Sequence, residues 1–107
     1  MSGSAISRSV SDGFRTTTAR RGPLRVSHHA APGASRVRFV VPKSVGTAVV
    51  RNRARRRVRE ILHELVRDRV VVLADGEYRL SIFAPLETLS ATELRATVGG
   101  LLRDVQR

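Results

Sequence analysis

The chain has 107 residues, a length that allows one small domain and excludes most multi-domain enzymes. It carries 20 Lys and Arg residues against 9 Asp and Glu residues, a formal charge of +11, and no cysteine, so disulfides and thiolate metal sites are excluded. No apolar run approaches the ~18 residues that cross a bilayer, and the N-terminus lacks the apolar core of a secretory signal. We therefore expect a cytoplasmic protein with no membrane partner.

The first half of the chain predicts a tail, a helix and two strands. Residues 1–9 are rich in serine and predict a flexible tail ahead of a single domain over residues 10–107. Residues 10–20 predict a short first helix, which a Gly-Pro pair follows. The alternating residues of 24–30 and 36–41 predict two strands on either side of a turn.

A long helix is predicted over residues 47–68, with Thr47 as its N-cap. Its apolar residues recur at the helical period and form one stripe, which we expect to face the core. The opposite side carries Asn52, Arg53, Arg56 and Arg59, and the flanks of the stripe carry Arg51, Arg55 and Arg57.

The remaining segments complete an α+β domain. Residues 70–73 are apolar and fit either a strand or a linker, and residues 78–84 predict a strand. Ser90 and Glu93 have the spacing of a capping box and open a last helix over residues 91–105. The element order read from these residues is α-β-β-α-β-α, which predicts a compact α+β fold.

The excess positive charge is confined to one half of the chain. Residues 1–59 contain 14 basic residues and 1 acidic residue, whereas residues 60–107 contain 6 basic and 8 acidic residues. All but one of the basic residues are arginine, whose planar guanidinium suits phosphate and stacks on bases. A merely soluble surface mixes its charges more evenly, so this distribution favours a surface that binds a polyanion.

Signatures of an autonomous enzyme are missing from the sequence. It has no Walker loop, GxGxxG, HExxH or GxSxG motif. His28 and His29 are adjacent in a predicted strand, so they point to opposite faces, and they have no nearby acidic partner in the sequence. We therefore expect no catalytic residue and no metal ligand in the protein.

The most informative segment is residues 41–60, where six of the last ten residues are arginine. Like charges at i,i+4 on a helix repel each other, so an anionic partner is needed to offset the repulsion. The start of the same helix presents free backbone N–H groups, which favour phosphate. The segment therefore predicts a phosphate-binding helix.

The order of residues in this segment is specific. It runs Lys43-Ser44-Val45-Gly46-Thr47-Ala48-Val49-Val50-Arg51-Asn52-Arg53, followed by Arg55, Arg56 and Arg59-Glu60. This order resembles the signature of the bacterial ribonuclease P protein component. The resemblance extends more loosely to about residues 10–105, through Phe14, the basic pair before Gly22 and the final strand and helix.

The resemblance implies an α+β fold in the order α-β-β(-β)-α-β-α around a small central sheet. In this fold a left-handed crossover through the long helix joins two parallel strands, an exception to the right-handed rule. It implies that the domain over residues 10–107 binds a large catalytic RNA. The resulting holoenzyme cuts the 5′ leader from precursor tRNA, and Mg²⁺ held mainly by the RNA subunit performs the chemistry. The implied partners are the catalytic RNA and precursor tRNA, with no DNA and no tightly bound cofactor.

The resemblance also implies roles for individual residues. The expected contacts with the catalytic RNA are Lys43, Arg51, Asn52, Arg53, Arg55, Arg56 and Arg59. Phe14 is expected to line the site for the single-stranded leader, because aromatic rings stack on bases. Arg36 and Arg38, in a predicted strand, are expected to contribute to leader binding.

Three other functions remain open from the residues alone. The first is a generic RNA-binding or ribosome-associated protein with no catalytic role, which does not require the specific order of residues 43–60. The second is a DNA-binding module that reads DNA with residues 52–59, although a strand rather than a helix-turn precedes this helix. The third is an independent nuclease that uses His28 or His63.

Overall fold

The computed structural model describes residues 5–11 and 13–106 of the chain. They form five strands and two α-helices, with a single 3-10 turn at Lys43–Val45. In chain order the elements are β1 (Ala5–Ser11), β2 (Phe14–Arg21), β3 (Leu24–Ala30), β4 (Ser35–Val40), α1 (Ala48–Arg67), β5 (Gly76–Ile82) and α2 (Ala91–Val105).

The strands form one mixed sheet in the order β1-β2-β3-β5-β4. β4 and β5 are parallel neighbours joined through α1, and every other pair is antiparallel. The α+β class and the predicted crossover between two parallel strands are therefore confirmed. The left hand that the resemblance implies for this crossover stays a prediction.

The two helices cover one face of the sheet and leave the other face open. The covered face contributes Val26, Leu80 and other strand residues to a single apolar cluster with the stripe of α1 and the inner side of α2. Burying each such side chain stabilises the fold by roughly 1.5–3 kcal/mol. The next residue along each central strand points to the open face, as Ser27 and Arg79 do.

The predicted first helix over residues 10–20 is wrong, because this segment is mostly strand β2. β2 pairs with β3 on one side and with β1 on the other. The consecutive threonines Thr16 to Thr18 favour extended backbone because they are β-branched, and alternation buries Thr17 and Ala19 under the helices. Gly13 and Gly22, with φ of 78° and 52°, allow the turns at both ends of the strand.

The expected flexible tail over residues 1–9 also differs from the structure. Residues 5–9 lie in β1, where Ile6 is opposite Ala19 of β2. Residues 1–4 lie outside the described residues. The edge of β2 that faces away from β3 offers backbone N–H and C=O groups, so this serine-rich segment finds hydrogen-bond partners despite its weak apolar content.

Both helices follow the sequence-based expectations closely. Thr47 caps α1, its hydroxyl accepting from the N–H of Val50 at 3.3 Å. Ser90 and Glu93 form the predicted capping box at the start of α2. The hydrogen bond from the backbone N–H of Ser90 lowers the pKa of Glu93 below its usual value, which keeps this carboxylate charged at the helix N-terminus.

Residues 70–73, which fit either a strand or a linker, form a linker whose Val71 is buried. α1 ends in a Schellman motif, in which the N–H of Val70 donates to the carbonyl of Leu65 and that of Arg69 to the carbonyl of Val66. Arg69 has a φ of 58°, the left-handed conformation that usually requires glycine at this position.

We expect Arg69→Gly to raise the free energy of unfolding by about 0.5–1 kcal/mol, because glycine relieves the left-handed strain. The matched control is Arg67→Gly, two residues earlier in the last helical turn, which should lower it by about 1 kcal/mol. Urea unfolding of both variants measures the two changes. Destabilisation by both substitutions would show that Arg69 is not strained.

Candidate nucleic-acid interface

The N-terminal half of α1 is held at the end of the sheet by a short, well-fixed connection. β4 runs through Pro42 into the turn at Lys43–Val45, whose Val45 is buried. Gly46 follows with a φ of 154°, and a Cβ there would press on the side chain of Val50. This close approach sets where the helix begins, with Lys43 exposed just ahead of it.

The outward side of α1 presents Asn52, Arg53 and Arg56 to solvent. Within the part of the chain that the structure describes, Arg53 has no ion pair. Arg56 lies 3.5 Å from Glu60, but its side chain remains 78% exposed, so this pair contributes little to stability. The predicted contact residues on this side are therefore accessible to a ligand.

A second row of arginines runs along the side of α1 nearest to β4. Arg51 donates to the carbonyl of Gly46 at 3.3 Å, and Arg55 donates to Oδ1 of Asn52 at 2.8 Å. The Arg59 guanidinium lies over the ring of Phe39, 5.3 Å from its centroid. These three residues are spaced at i,i+4, so their charges repel unless an anion lies between them.

Arg57 differs from its neighbours on α1 because its guanidinium forms hydrogen bonds with backbone carbonyls of the protein. Its guanidinium donates to the carbonyl of Leu86 at 2.7 Å and to that of Leu89 at 3.0 Å. It therefore ties α1 to the segment between β5 and α2. The sequence grouped Arg57 with Arg51 and Arg55 beside the apolar stripe, but did not assign it to RNA.

The C-terminal half of α1 has the opposite electrostatic character, since its arginines face carboxylates. Arg95 of α2 contacts Glu64 at 3.1 Å and Asp68 at 3.3 Å, and Arg67 contacts Asp68 at 3.2 Å. Hydrogen bonds from Arg67 and then Arg95 lower the pKa of Asp68 below its usual value. Among the residues that the structure describes, the arginines of α1 that lack a carboxylate partner thus lie toward the start of the helix.

The open face of the sheet carries all three residues predicted to bind the leader. Register places Arg36 in one row with Glu77, His29 and Thr16, and Phe14 lies beside that row in β2. The Phe14 ring meets the His29 ring edge-on, with centroids 6.3 Å apart. Arg38 is in the next row and lies 3.7 Å from Glu77. The three residues are on one face but not in one cluster.

Their separation follows from the strand order. Two strands, β3 and β5, lie between Phe14 in β2 and Arg36 in β4, which at ~4.8 Å per strand puts them about 14 Å apart. Arg79, which the sequence did not single out, lies directly beside Arg38. Only the pairing of β4 with β5 brings these two arginines together, so sequence alternation alone could not show it.

The adjacent histidines His28 and His29 lie on opposite faces of the sheet. His28 is 7% exposed, stacks on Tyr78 at 4.3 Å and contacts the carbonyl oxygen of Asp75 through Nε2 at 3.0 Å. His29 points to the opposite face, as expected. The described residues contain no group of three His, Cys, Asp or Glu side chains placed to hold a metal ion. Among them, no helix is long and apolar enough to cross a bilayer.

Comparison with known proteins supports the relationship seen in the sequence. A family model described as Ribonuclease P matches residues 11–106. The chain is 50% identical over 62 residues to the ribonuclease P protein component of Kocuria rhizophila, covering 52% of this chain and 55% of that protein. It is 45% identical over 76 residues to that of Streptomyces avermitilis, covering 56% and 58%.

A third relative, the ribonuclease P protein component of Thermus scotoductus, is 49% identical over 53 residues, covering 48% of this chain and 33% of that protein. The chain therefore spans between about a third and somewhat more than half of the length of these relatives. No solved structure matches the chain.

Proposed function

Because the chain belongs to the ribonuclease P family, we propose that it is the protein subunit of this enzyme and acts in the cytoplasm. It binds a catalytic RNA and assists the endonucleolytic removal of the 5′ leader from precursor tRNA. The observation that carries the proposal is the exposed arginine surface on the N-terminal half of α1, where Arg53 lacks any carboxylate partner among the described residues.

The arginines of α1 neutralise phosphates of the catalytic RNA. Arg51, Arg55 and Arg59 form one row and Asn52, Arg53 and Arg56 the other, so the helix presents charge to RNA on two adjoining sides. Each phosphate contact releases a condensed counterion, which makes the affinity fall steeply with salt. Lys43 adds a point charge at the start of the same surface.

The open sheet face binds the single-stranded leader. The exposed ring of Phe14 offers a stacking platform beside His29, and Arg36 and Arg38 lie across the face on β4. Mature tRNA lacks the leader, so contacts on this face favour substrate over product. The protein adds binding free energy for the precursor without taking part in bond cleavage.

The chemistry is assigned to Mg²⁺ held by the RNA subunit. Within the described part of the chain, carboxylates and histidines are dispersed and do not form a donor set that suits Mg²⁺. On this proposal the protein binds and orients RNA and contributes no catalytic residue.

Reconstitution tests this function directly. The purified chain is mixed with a bacterial catalytic RNA at low Mg²⁺, and the 5′ end of a precursor tRNA is mapped after incubation. We expect correct leader removal at Mg²⁺ concentrations where the RNA alone is nearly inactive. Tight RNA binding with no gain in cleavage would favour the generic RNA-binding alternative, and cleavage by the protein without RNA would favour a nuclease.

We expect Phe14→Ala to weaken binding of precursor tRNA to the holoenzyme by roughly 5- to 160-fold, since stacking contributes ~1–3 kcal/mol per base. Binding of mature tRNA should stay unchanged. Val10→Ala on the neighbouring exposed strand is the matched control for loss of apolar surface. Titration of both tRNAs measures the effect, and equal losses for the two would remove Phe14 from the leader site.

A further inference from the structure

A cluster of two arginines and one aromatic ring lies on the open sheet face, far from Phe14. The guanidiniums of Arg20 in β2 and Arg25 in β3 each lie 4.9 Å from the centroid of the Phe83 ring. Arg20 and Arg25 are direct partners across the β2–β3 hairpin. Both alternate with buried residues, such as Ala19 and Leu24, so their side chains point away from the helices.

The cluster is held in place by its surroundings. The N–H of Phe83 donates to the carbonyl of Pro23 at 2.8 Å, which fixes the ring beside the hairpin turn. The Nε of Arg20 donates to the carbonyl of Gly22 at 3.4 Å. Two guanidiniums are therefore positioned on one ring before any partner arrives, which reduces the entropy lost on binding.

The cluster places two positive charges beside one aromatic ring. Among the described residues, no carboxylate forms an ion pair with Arg20 or Arg25. A cation–π contact at an exposed site contributes ~0.5–1 kcal/mol. This contribution is small for two like charges, which repel each other when both are held near the same ring. An anion placed between the guanidiniums removes their repulsion, and a ring flanked by arginines also offers a base a stacking surface.

The cluster shares one end of the sheet with the start of α1. β4 and β5 are parallel, and the pairs Val40–Ser81 and Leu24–Ile82 place the ends of β4 and β5 beside the beginning of β3. The chain passes from β4 directly into the Lys43 turn and α1. By contrast, Phe14 is six residues from Arg20 along β2, about 20 Å away in an extended strand.

We propose that Arg20, Arg25 and Phe83 form a second contact with the catalytic RNA, which continues the arginine surface of α1 around the end of the sheet onto its open face. This inference rests on the proposed function. The placement at the α1 end, rather than beside Phe14, assigns the cluster to the catalytic RNA and not to the leader. The two guanidiniums bind phosphates, and Phe83 acts as a positioning residue that orients them.

The test measures binding of the catalytic RNA alone, without tRNA, as a function of salt. The double variant Arg20→Gln/Arg25→Gln should lose roughly 25- to 60-fold in affinity at 0.1 M salt, because each lost phosphate contact removes roughly one released counterion. The slope of log affinity against log salt should fall in magnitude by about 2. The matched control, Arg69→Gln/Arg103→Gln, removes the same charge from exposed positions on other elements and should change the slope by much less.

Two further variants separate the roles of charge and ring. Arg20→Lys/Arg25→Lys keeps the charge and should retain most of the salt slope, although it loses the planar fork. Phe83→Leu keeps apolar bulk and should weaken binding by less than the double glutamine variant, with the slope nearly unchanged. Circular dichroism and thermal melts of every variant establish that the fold is intact.

The outcomes distinguish this inference from the proposed function. If the double glutamine variant binds the catalytic RNA normally while an Arg53→Gln/Arg56→Gln variant loses affinity, the second contact is wrong and the proposed function stands. If only precursor tRNA binding to the holoenzyme falls, the cluster belongs to the leader site and the inference is overturned. If neither double variant affects RNA binding, both proposals fail.

Discussion

Replacing Arg53 and Arg56 with glutamine is expected to weaken binding of the catalytic RNA by roughly 25- to 60-fold at 0.1 M salt, with a salt slope smaller in magnitude by about 2. Both side chains are exposed on the outward side of α1. Arg53 has no ion pair among the described residues, and the Arg56–Glu60 pair is solvent-exposed. The variant should also need more protein and more Mg²⁺ to support leader cleavage.

The stability of this variant should stay within about 0.5 kcal/mol of the original chain, because neither side chain is buried or anchored. Loss of affinity can therefore be separated from loss of fold by a thermal melt. The Arg69→Gln/Arg103→Gln protein again controls for total charge. Cleavage with an unchanged protein and Mg²⁺ requirement would mean that the catalytic RNA does not contact this side of α1.

The helices were predictable because their signals are local. The stripe of α1 repeats over five turns, and its N-cap Thr47 and the capping box of Ser90 and Glu93 are readable within four residues. The strands β3, β4 and β5 were also found close to their observed bounds, since apolar residues alternate along them and turn residues lie between them.

The N-terminal segment was not predictable in the same way, because its structure depends on a distant partner. The helix over residues 10–20 was predicted because Ser11 or Asp12 could cap it. The edge of β3 supplies backbone partners to residues 16–21, and extended Thr16 to Thr18 pair there without loss of rotamer freedom. Pairing with β3 therefore determined that this segment forms a strand and not a helix.

The candidate site was predictable where one helix carries it and not where several strands do. The exposed positions of α1 follow from its period, so Arg53 and Arg56 were placed correctly. The neighbours of Arg38 and the partners of Phe83 depend on strand order, which the sequence does not state. The structural role of Arg57 could not be predicted from the sequence either. Its partners, the carbonyls of Leu86 and Leu89, are about 30 residues away along the chain.

Arg57 leads to the second large effect, which is on stability and not on RNA affinity. We expect Arg57→Ala to lower the free energy of unfolding by about 2–3 kcal/mol. Hydrogen bonds to a charged donor contribute ~1.5–3 kcal/mol each, and part of this is recovered when water reaches the freed carbonyls. For a domain of this size the melting temperature should fall by roughly 10–20 °C.

The comparison that isolates this role is with Arg55→Ala, which removes an arginine two residues earlier on the same helix. Within residues 5–11 and 13–106, Arg55 donates only to the exposed side chain of Asn52, so its loss should cost less than about 0.5 kcal/mol of stability while reducing RNA affinity. Arg57→Ala should show the reverse pattern when RNA binding is measured well below its melting temperature. An Arg57→Ala protein as stable as the original chain, with RNA affinity reduced as in Arg55→Ala, would mean that Arg57 contacts RNA and does not anchor the segment before α2.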